Sequence, residues 1–239
     1  MFGFGKKSMS TPVVDIHSHL IPGIDDGVKT LDHSIEVIKK FADLGFKKII
    51  TTPHIHPNYP NSTDEIRRGL STVQSRIEEE KLDLEVEAAA EYFVDDVFMK
   101  SISEDKEILS FGPNFVLVES SFLNKPIFFE SCLFELQSKG YQPVLAHPER
   151  YRFLEEEIDW LLELKEMGIL LQVTISSFAG FYGKIPEKIA KTLFSRNMID
   201  FLGSDLHSYN QIKYLEQGLR HKSVEKLCKS PHLKNGSLI

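Results

Sequence analysis

Only two cysteines occur in 239 residues, Cys132 and Cys228. They stand far apart without C-x-x-C spacing, so the chain offers neither a disulfide framework nor a thiolate zinc knuckle. That usage suits a reducing compartment, and a cytoplasmic location is expected. Long apolar runs are also missing: none approaches the ~20 residues that a membrane-spanning helix needs, so no membrane insertion is expected. The opening stretch, MFGFGKKSMS, lacks the apolar segment at the heart of a secretory signal, and residues 1–11 are expected to form a flexible tail. Clusters of Lys and Arg do not stand out, and the net charge is -7. A protein that neutralises nucleic-acid phosphates needs the opposite balance, so nucleic acid is not an expected partner.

What is present is ordinary globular composition, with 41% apolar and 26% charged residues, enough to build and solubilise one large core. The length suits a single α/β barrel, so residues 12–239 are expected to form one domain. Apolar, β-branched runs at 12–16, 48–52, 84–90, 115–118, 143–146, 170–174 and 199–202 alternate with amphipathic patterns at 31–44, 62–80, 127–139, 155–167 and 187–196. That alternation predicts strand–helix–strand units around a parallel sheet. Gly45, Gly140 and Gly168 supply the expected helix stops. Cys132 falls within a helix pattern, where a packing role is expected.

The chemistry lies at the C-terminal ends of the apolar runs. Asp15, His17 and His19 come after the first, Thr52 and His54 after the second, then Glu91, Glu119 and His147, and finally Ser204, Asp205 and His207. Singly, each has an ordinary reading: alternate histidines can be a polar strand face, a glutamate at a strand end is usually solvated, and His147 to Arg150 can be a capped turn. Their recurrence at one topological position is poorly explained that way. Parallel strands open their C-terminal ends onto one face, where residues distant in sequence converge, as a metal site requires. Residues at i and i+2 of a strand point the same way, so His17 with His19, and Asp205 with His207, form pincers for a cation. Asp15 is expected to accept an imidazole N–H and fix its tautomer. The loop Pro22 to Gly27 can bring Asp25 or Asp26 over the site. Asp26, Glu91, Glu119 and Asp205 would place four like charges in one pocket, which calls for two or three divalent ions. Nitrogen and oxygen donors without thiolate favour manganese, iron or zinc over calcium.

The stretches DIHSHLIPGIDDG, ITTPH, LVES, GYQPVLAHPER and SSFAGFYGK, together with the final Ser-Asp-x-His, resemble the polymerase and histidinol phosphatase (PHP) superfamily. Within it they are similar to the manganese-dependent bacterial protein-tyrosine phosphatases associated with capsule and exopolysaccharide assembly, over roughly residues 12–228 in order and spacing. The resemblance implies a distorted seven-stranded (β/α)7 barrel with three metal ions. The ligands it implies are His17, His19, Asp26, His54, Glu91, Glu119, His147, Asp205 and His207, with Arg150 binding phosphate. It further implies hydrolysis of phosphotyrosine on a bacterial tyrosine kinase by a metal-activated hydroxide, with Asp205, His207 or a metal-bound water protonating the leaving phenolate. Lys213 stands near where relatives carry a second arginine; it can serve as a point charge in substrate binding but offers no planar fork. Neither cysteine is followed by arginine at the sixth position, so the motif of cysteine-based tyrosine phosphatases is absent. The alternatives are another PHP phosphoesterase acting on a small molecule such as histidinol phosphate, or a metal-binding regulatory scaffold without catalysis.

Overall fold

The computed structural model describes residues 10–125, 127–155 and 157–239, so most of the tail expected over residues 1–11 lies outside the described residues. In chain order the strands are β1 (Val14–Asp15), β2 (Lys48–Thr51), β3 (His54–His56), β4 (Tyr59–Pro60), β5 (Glu85–Ala88), β6 (Glu91–Phe93), β7 (Phe115–Glu119), β8 (Gln142–Ala146), β9 (Leu170–Thr174) and β10 (Phe201–Gly203). The helices are α1 (Leu31–Asp43), α2 (Thr63–Glu79), α3 (Asp96–Ser103), α4 (Phe129–Ser138), α5 (Trp160–Glu166), α6 (Lys184–Ser195), α7 (Ile212–Leu219) and α8 (Lys222–Cys228).

Local chemistry sets the helix ends. The Thr30 hydroxyl accepts the His33 N–H at the start of α1, and Ser62 with Glu65 closes a reciprocal capping box on α2. The amphipathic face of α1 buries Ile35, Val37, Ile38 and Phe41. Full burial of a side chain the size of Phe41 contributes ~2–3 kcal/mol. The expected stops Gly45, Gly140 and Gly168 all have left-handed backbone.

The α/β class is as expected, but the strands divide between two sheets. One is β1-β2-β5, all parallel; the other is β10-β9-β8-β7-β6-β3-β4, parallel except for the β3–β4 hairpin. The expected strands at 48–52 and 84–90 appear as β2 and β5, and just past each the chain pairs again, as β3 and β6, in the second sheet. Pro53 sits between β2 and β3 and has no N–H to give a ladder, although its carbonyl still accepts from Glu91 N at 3.1 Å. Among the described residues no ladder closes into a barrel.

Where β1 and β10 approach each other, other bonds cross the seam. Asp205 N donates to His17 O at 2.8 Å and His19 N to Leu206 O at 3.0 Å. Further down, the buried Asn235 side chain donates to Val14 O at 2.9 Å and Leu202 O at 2.7 Å, and accepts from Leu202 N at 2.9 Å.

Two apolar layers result. Val14, Ile16, Ile50, Leu117, Val144, Ala146 and Phe201 cluster with Phe111 and Leu238, while Val116, Val118, Leu145, Leu171 and Val173 pack with the helices. Alternation along β7 explains how the first layer leads to chemistry: Leu117 and Glu119 share a face, so an apolar floor passes into a polar rim in two residues.

Candidate metal centre

That rim gathers side chains from six of the ten strands. His17 and His19 follow β1, His54 opens β3, Glu91 opens β6, Glu119 ends β7, His147 follows β8, and Asp205 and His207 follow β10. Asp26 reaches in from the loop before α1 and is exposed, whereas His17, His19, Glu91, Glu119, His147 and Asp205 are buried. His147 and Asp205 have φ of 33° and 51°. Such left-handed backbone is uncommon outside glycine and is held where surrounding structure over-determines it.

Among the described residues, four overlapping groups place ligand atoms within 4.8 Å of one another: His19–Asp26–His54–His207, His17–His19–Asp205, His17–Glu91–His147 and His54–Glu91–Glu119. All nine expected ligands are therefore brought together. His17, His19, His54 and Glu91 each belong to two groups, which is the geometry of ions sharing ligands.

Tautomers decide what these atoms can do. His17 Nδ1 lies 2.8 Å from Gln172 Oε1, an atom that also accepts the His147 backbone N–H at 3.3 Å. A backbone N–H only donates, so the Gln172 atom is an oxygen and His17 Nδ1 carries a proton. His19 Nδ1 likewise donates to Asp25 Oδ2 at 2.9 Å, and His207 Nδ1 to the carbonyl of Asp205 at 3.0 Å. In the neutral imidazoles each Nε2 is then a bare lone pair. Those of His17 and His19 face each other at 3.3 Å, with Glu91 Oε2 at 3.2 and 3.5 Å and Asp205 Oδ1 at 3.5 and 3.7 Å. Lone pairs converging on lone pairs repel unless positive charge stands between them, and the buried atoms Glu91 Oε2 and His54 Nδ1, though 3.1 Å apart, are not aligned to bond each other. The donor set fits divalent cations.

Electrostatics points the same way. Burial opposes charge on His17, yet Glu91 and Asp205 push its pKa up to about 9. Burial likewise opposes charge on His54, but Glu91 and Glu119, each 3.1 Å from its Nδ1, push it up to about 12. Burial beside Glu91 raises Glu119, and burial with His207 alongside lowers His19 to about 4. A field that draws protons onto these two imidazoles also draws metal ions.

Above these groups opens a cleft of about 240 Å³ whose lining includes Asp26, His54, Tyr59, Phe122, Arg150 and His207. Arg150 lies in the single turn Pro148–Arg150, and its Nη1 donates to Asp205 Oδ2 at 2.5 Å. The structure does not bring Lys213 there: it is exposed on α7, with Nζ 4.7 Å from the ring centre of Tyr214. Asp15 also differs from expectation. It accepts Ser204 N at 2.7 Å and Ser204 Oγ at 2.9 Å, so its carboxylate fastens β1 to β10 and touches no imidazole. Burial, partly offset by Ser204, raises its pKa to about 7. Asp25 and Gln172 take the orienting role instead. Asp25 was visible in the loop, but Gln172, polar in the middle of an apolar strand, was the only local sign of its task. Tyr182, whose hydroxyl donates to Asp205 Oδ2 at 2.8 Å, is a further site residue that the strand-end pattern missed.

Comparison with known proteins supplies the context. A family described as capsular polysaccharide synthesis, CpsB/CapC, matches residues 13–235. The chain is 31% identical over 233 residues to the putative tyrosine-protein phosphatase CapC of Staphylococcus aureus, covering 95% of this chain and 91% of that protein. It is 33% identical over 199 residues to the tyrosine-protein phosphatase YwqE of Bacillus subtilis, covering 82% and 78%. A crystal structure from work on YwqE of Bacillus subtilis and CpsB of Streptococcus pneumoniae, described as metal-dependent tyrosine phosphatases, superposes with a TM-score of 0.83 at 30% identity, covering 94% of this chain and 90% of that one.

Proposed function

This chain belongs to the CpsB/CapC family of capsular polysaccharide synthesis proteins, and from that premise we propose that it is a metal-dependent protein-tyrosine phosphatase whose substrate is phosphotyrosine on a bacterial tyrosine kinase of polysaccharide synthesis or export. The observation that carries the metal reading is the convergence of the Nε2 atoms of His17 and His19 with Glu91 and Asp205. We assign the nine gathered side chains as ligands of two or three divalent ions, manganese first, with iron and zinc as alternatives. The scaffold is read as a distorted seven-stranded barrel in which β2–β3 and β5–β6 each count as one bent strand and the hairpin strand β4 is not counted. Residues 12–239 are read as one catalytic domain. Among the described residues no helix is long and apolar enough to cross a membrane, and both cysteines are free, which supports a cytoplasmic site of action.

When bound, the cations would offset the phosphate charge and acidify a coordinated water toward neutrality. The chain's own residues do the rest. Arg150 offers a planar fork at the cleft, suited to phosphoryl oxygens. Asp205 accepts from both Arg150 and Tyr182, and Arg150 with His17 overcomes burial to hold it well below the usual carboxylate range, so it stays ionised and is a poor proton donor. His207 donates its Nδ1 proton to the Asp205 carbonyl and is assigned to a cation through Nε2, so neither side chain is placed to protonate the leaving group. A tyrosine phenolate, with a pKa of ~10, leaves with little acid assistance. The metal cleft shares Phe122 and Arg150 with a neighbouring cleft of about 920 Å³, space that a polypeptide flanking the phosphotyrosine needs and a small phosphomonoester does not.

The test is activity on phosphotyrosine peptides, abolished by chelator and restored by manganese, alongside elemental analysis of the same sample. Faster turnover of histidinol phosphate than of any such peptide would overturn the substrate assignment. Full metal binding without hydrolysis of either would favour a scaffold.

A further inference from the structure

Arg150 is the only arginine or lysine among the described residues lining the metal cleft. A lone arginine usually sweeps many rotamers, and ordering it on phosphate then costs affinity. Here it is held on three sides. Its guanidinium carbon lies 4.3 Å from the ring centre of Tyr182 and 4.7 Å from that of Phe122. Its Nη1 is bonded to Asp205 Oδ2, the same oxygen that receives the Tyr182 hydroxyl.

The two rings come from different loops, and each loop is tied to the turn that carries Arg150. Phe122 follows β7, and its carbonyl accepts Arg152 N at 2.8 Å. Tyr182 follows the 3-10 turn Ile175–Ala179. Within that region Ser177 Oγ and Thr174 N donate to the buried Glu149 Oε1 at 2.7 and 2.9 Å, one residue before Arg150. Glu149 and Tyr182 thus give the SSFAGFYGK and HPER stretches a common purpose.

We propose that Tyr182 and Phe122 are positioning residues that clamp the Arg150 guanidinium in the orientation needed for the phosphoryl group, and that this clamp lets one arginine serve where Lys213 contributes nothing to the cleft. The clamp rests on the phosphatase reading but acts on phosphate affinity, which is measurable without turnover.

Manganese-loaded wild type, Tyr182→Leu, Tyr182→Phe, Phe122→Leu and Arg150→Ala are compared by calorimetric titration with inorganic phosphate and by kinetics on p-nitrophenyl phosphate. Tyr182→Leu weakens phosphate binding by up to about tenfold, the size expected when a freed arginine must be ordered on binding, with metal content unchanged. Tyr182→Phe keeps the ring and most of the affinity. Phe122 is 36% exposed, so Phe122→Leu tests the second wall without emptying the core, and a fall in phosphate affinity is expected there too. In an Arg150→Ala background, Tyr182→Leu has no further effect. Wild-type phosphate affinity in Tyr182→Leu and Phe122→Leu, or an equal loss from Tyr182→Leu with and without Arg150, overturns the clamp. Absence of hydrolysis in wild type would instead strike the phosphatase reading, leaving the phosphate titration to judge the clamp.

Discussion

Asp25 and Asp26 are adjacent carboxylates with unlike work. Asp25 is buried and accepts from His19 Nδ1 and Gly27 N, both at 2.9 Å, and from His54 N at 3.1 Å. Asp26 is exposed and lies 3.5 Å from His54 Nε2 and 3.4 Å from His207 Nε2. Asp25→Ala should therefore unfix the His19 tautomer and lower metal affinity ~10–100-fold although no ligand is lost. Manganese titration checks this; unchanged affinity would show that His19 needs no such partner. Protons compete at the same atoms. His17, with its pKa raised to about 9, carries a proton at neutral pH that an incoming cation must expel. The raised value means the proton is held below about 9, so manganese affinity falls as pH drops through that range, and binding heats differ between buffers of unlike ionisation enthalpy. Equal heats in all buffers would contradict it. Eight of the nine ligand candidates were legible because they follow apolar runs, whereas Asp26 stands in a loop. Their partners were not: Gln172 meets His17 across 155 positions, a distance no local pattern spans.

Most helices that sequence patterns found are long, although the seven-residue α5 falls inside the pattern at 155–167. α1 and α2 have 13 and 17 residues, enough for an amphipathic stripe to show, whereas α3, α7 and α8 have 8, 8 and 7 and fall outside the predicted patterns. Short helices draw their stability from tertiary packing rather than propensity, so little of them is written locally. α7 illustrates this through Gly218, where an added Cβ would lie 2.3 Å from the carbonyl oxygen of Ile175. The helix can approach the 3-10 turn Ile175–Ala179 only because that position is bare. Gly218→Ala should cost ~1–3 kcal/mol by overpacking and lower the melting temperature by several degrees. Thermal melts of variant and wild type at equal metal load decide the matter, and an unchanged midpoint would mean the helix shifts freely. The short strands β3 and β6, which begin just past two expected strands, follow the same logic. Pro53 has no N–H to continue β2, and no local pattern shows that the chain resumes pairing in another sheet.

At the scale of the whole molecule, the seam between β1 and β10 joins fold to chemistry. His17 and His19 stand on one side of it and Asp205 and His207 on the other, and ladder bonds are sparse there. Asn235 fills the gap, a residue near the C-terminal end of the chain satisfying Val14 O and both backbone groups of Leu202. Asn235→Ala would leave those buried groups unpaired, at ~1–3 kcal/mol for each one that water cannot reach. Urea denaturation should show a loss of at least ~2 kcal/mol on that basis. Metal affinity should fall as well, because ions that draw ligands from both sides need the two sides in register before they bind. Bound cations would in turn add to stability by mass action, so manganese should raise the melting temperature of the wild type more than that of Asn235→Ala. A variant that is destabilised yet binds manganese with undiminished affinity would show that the bonds of Asp205 N to His17 O and His19 N to Leu206 O hold the ligand halves together by themselves.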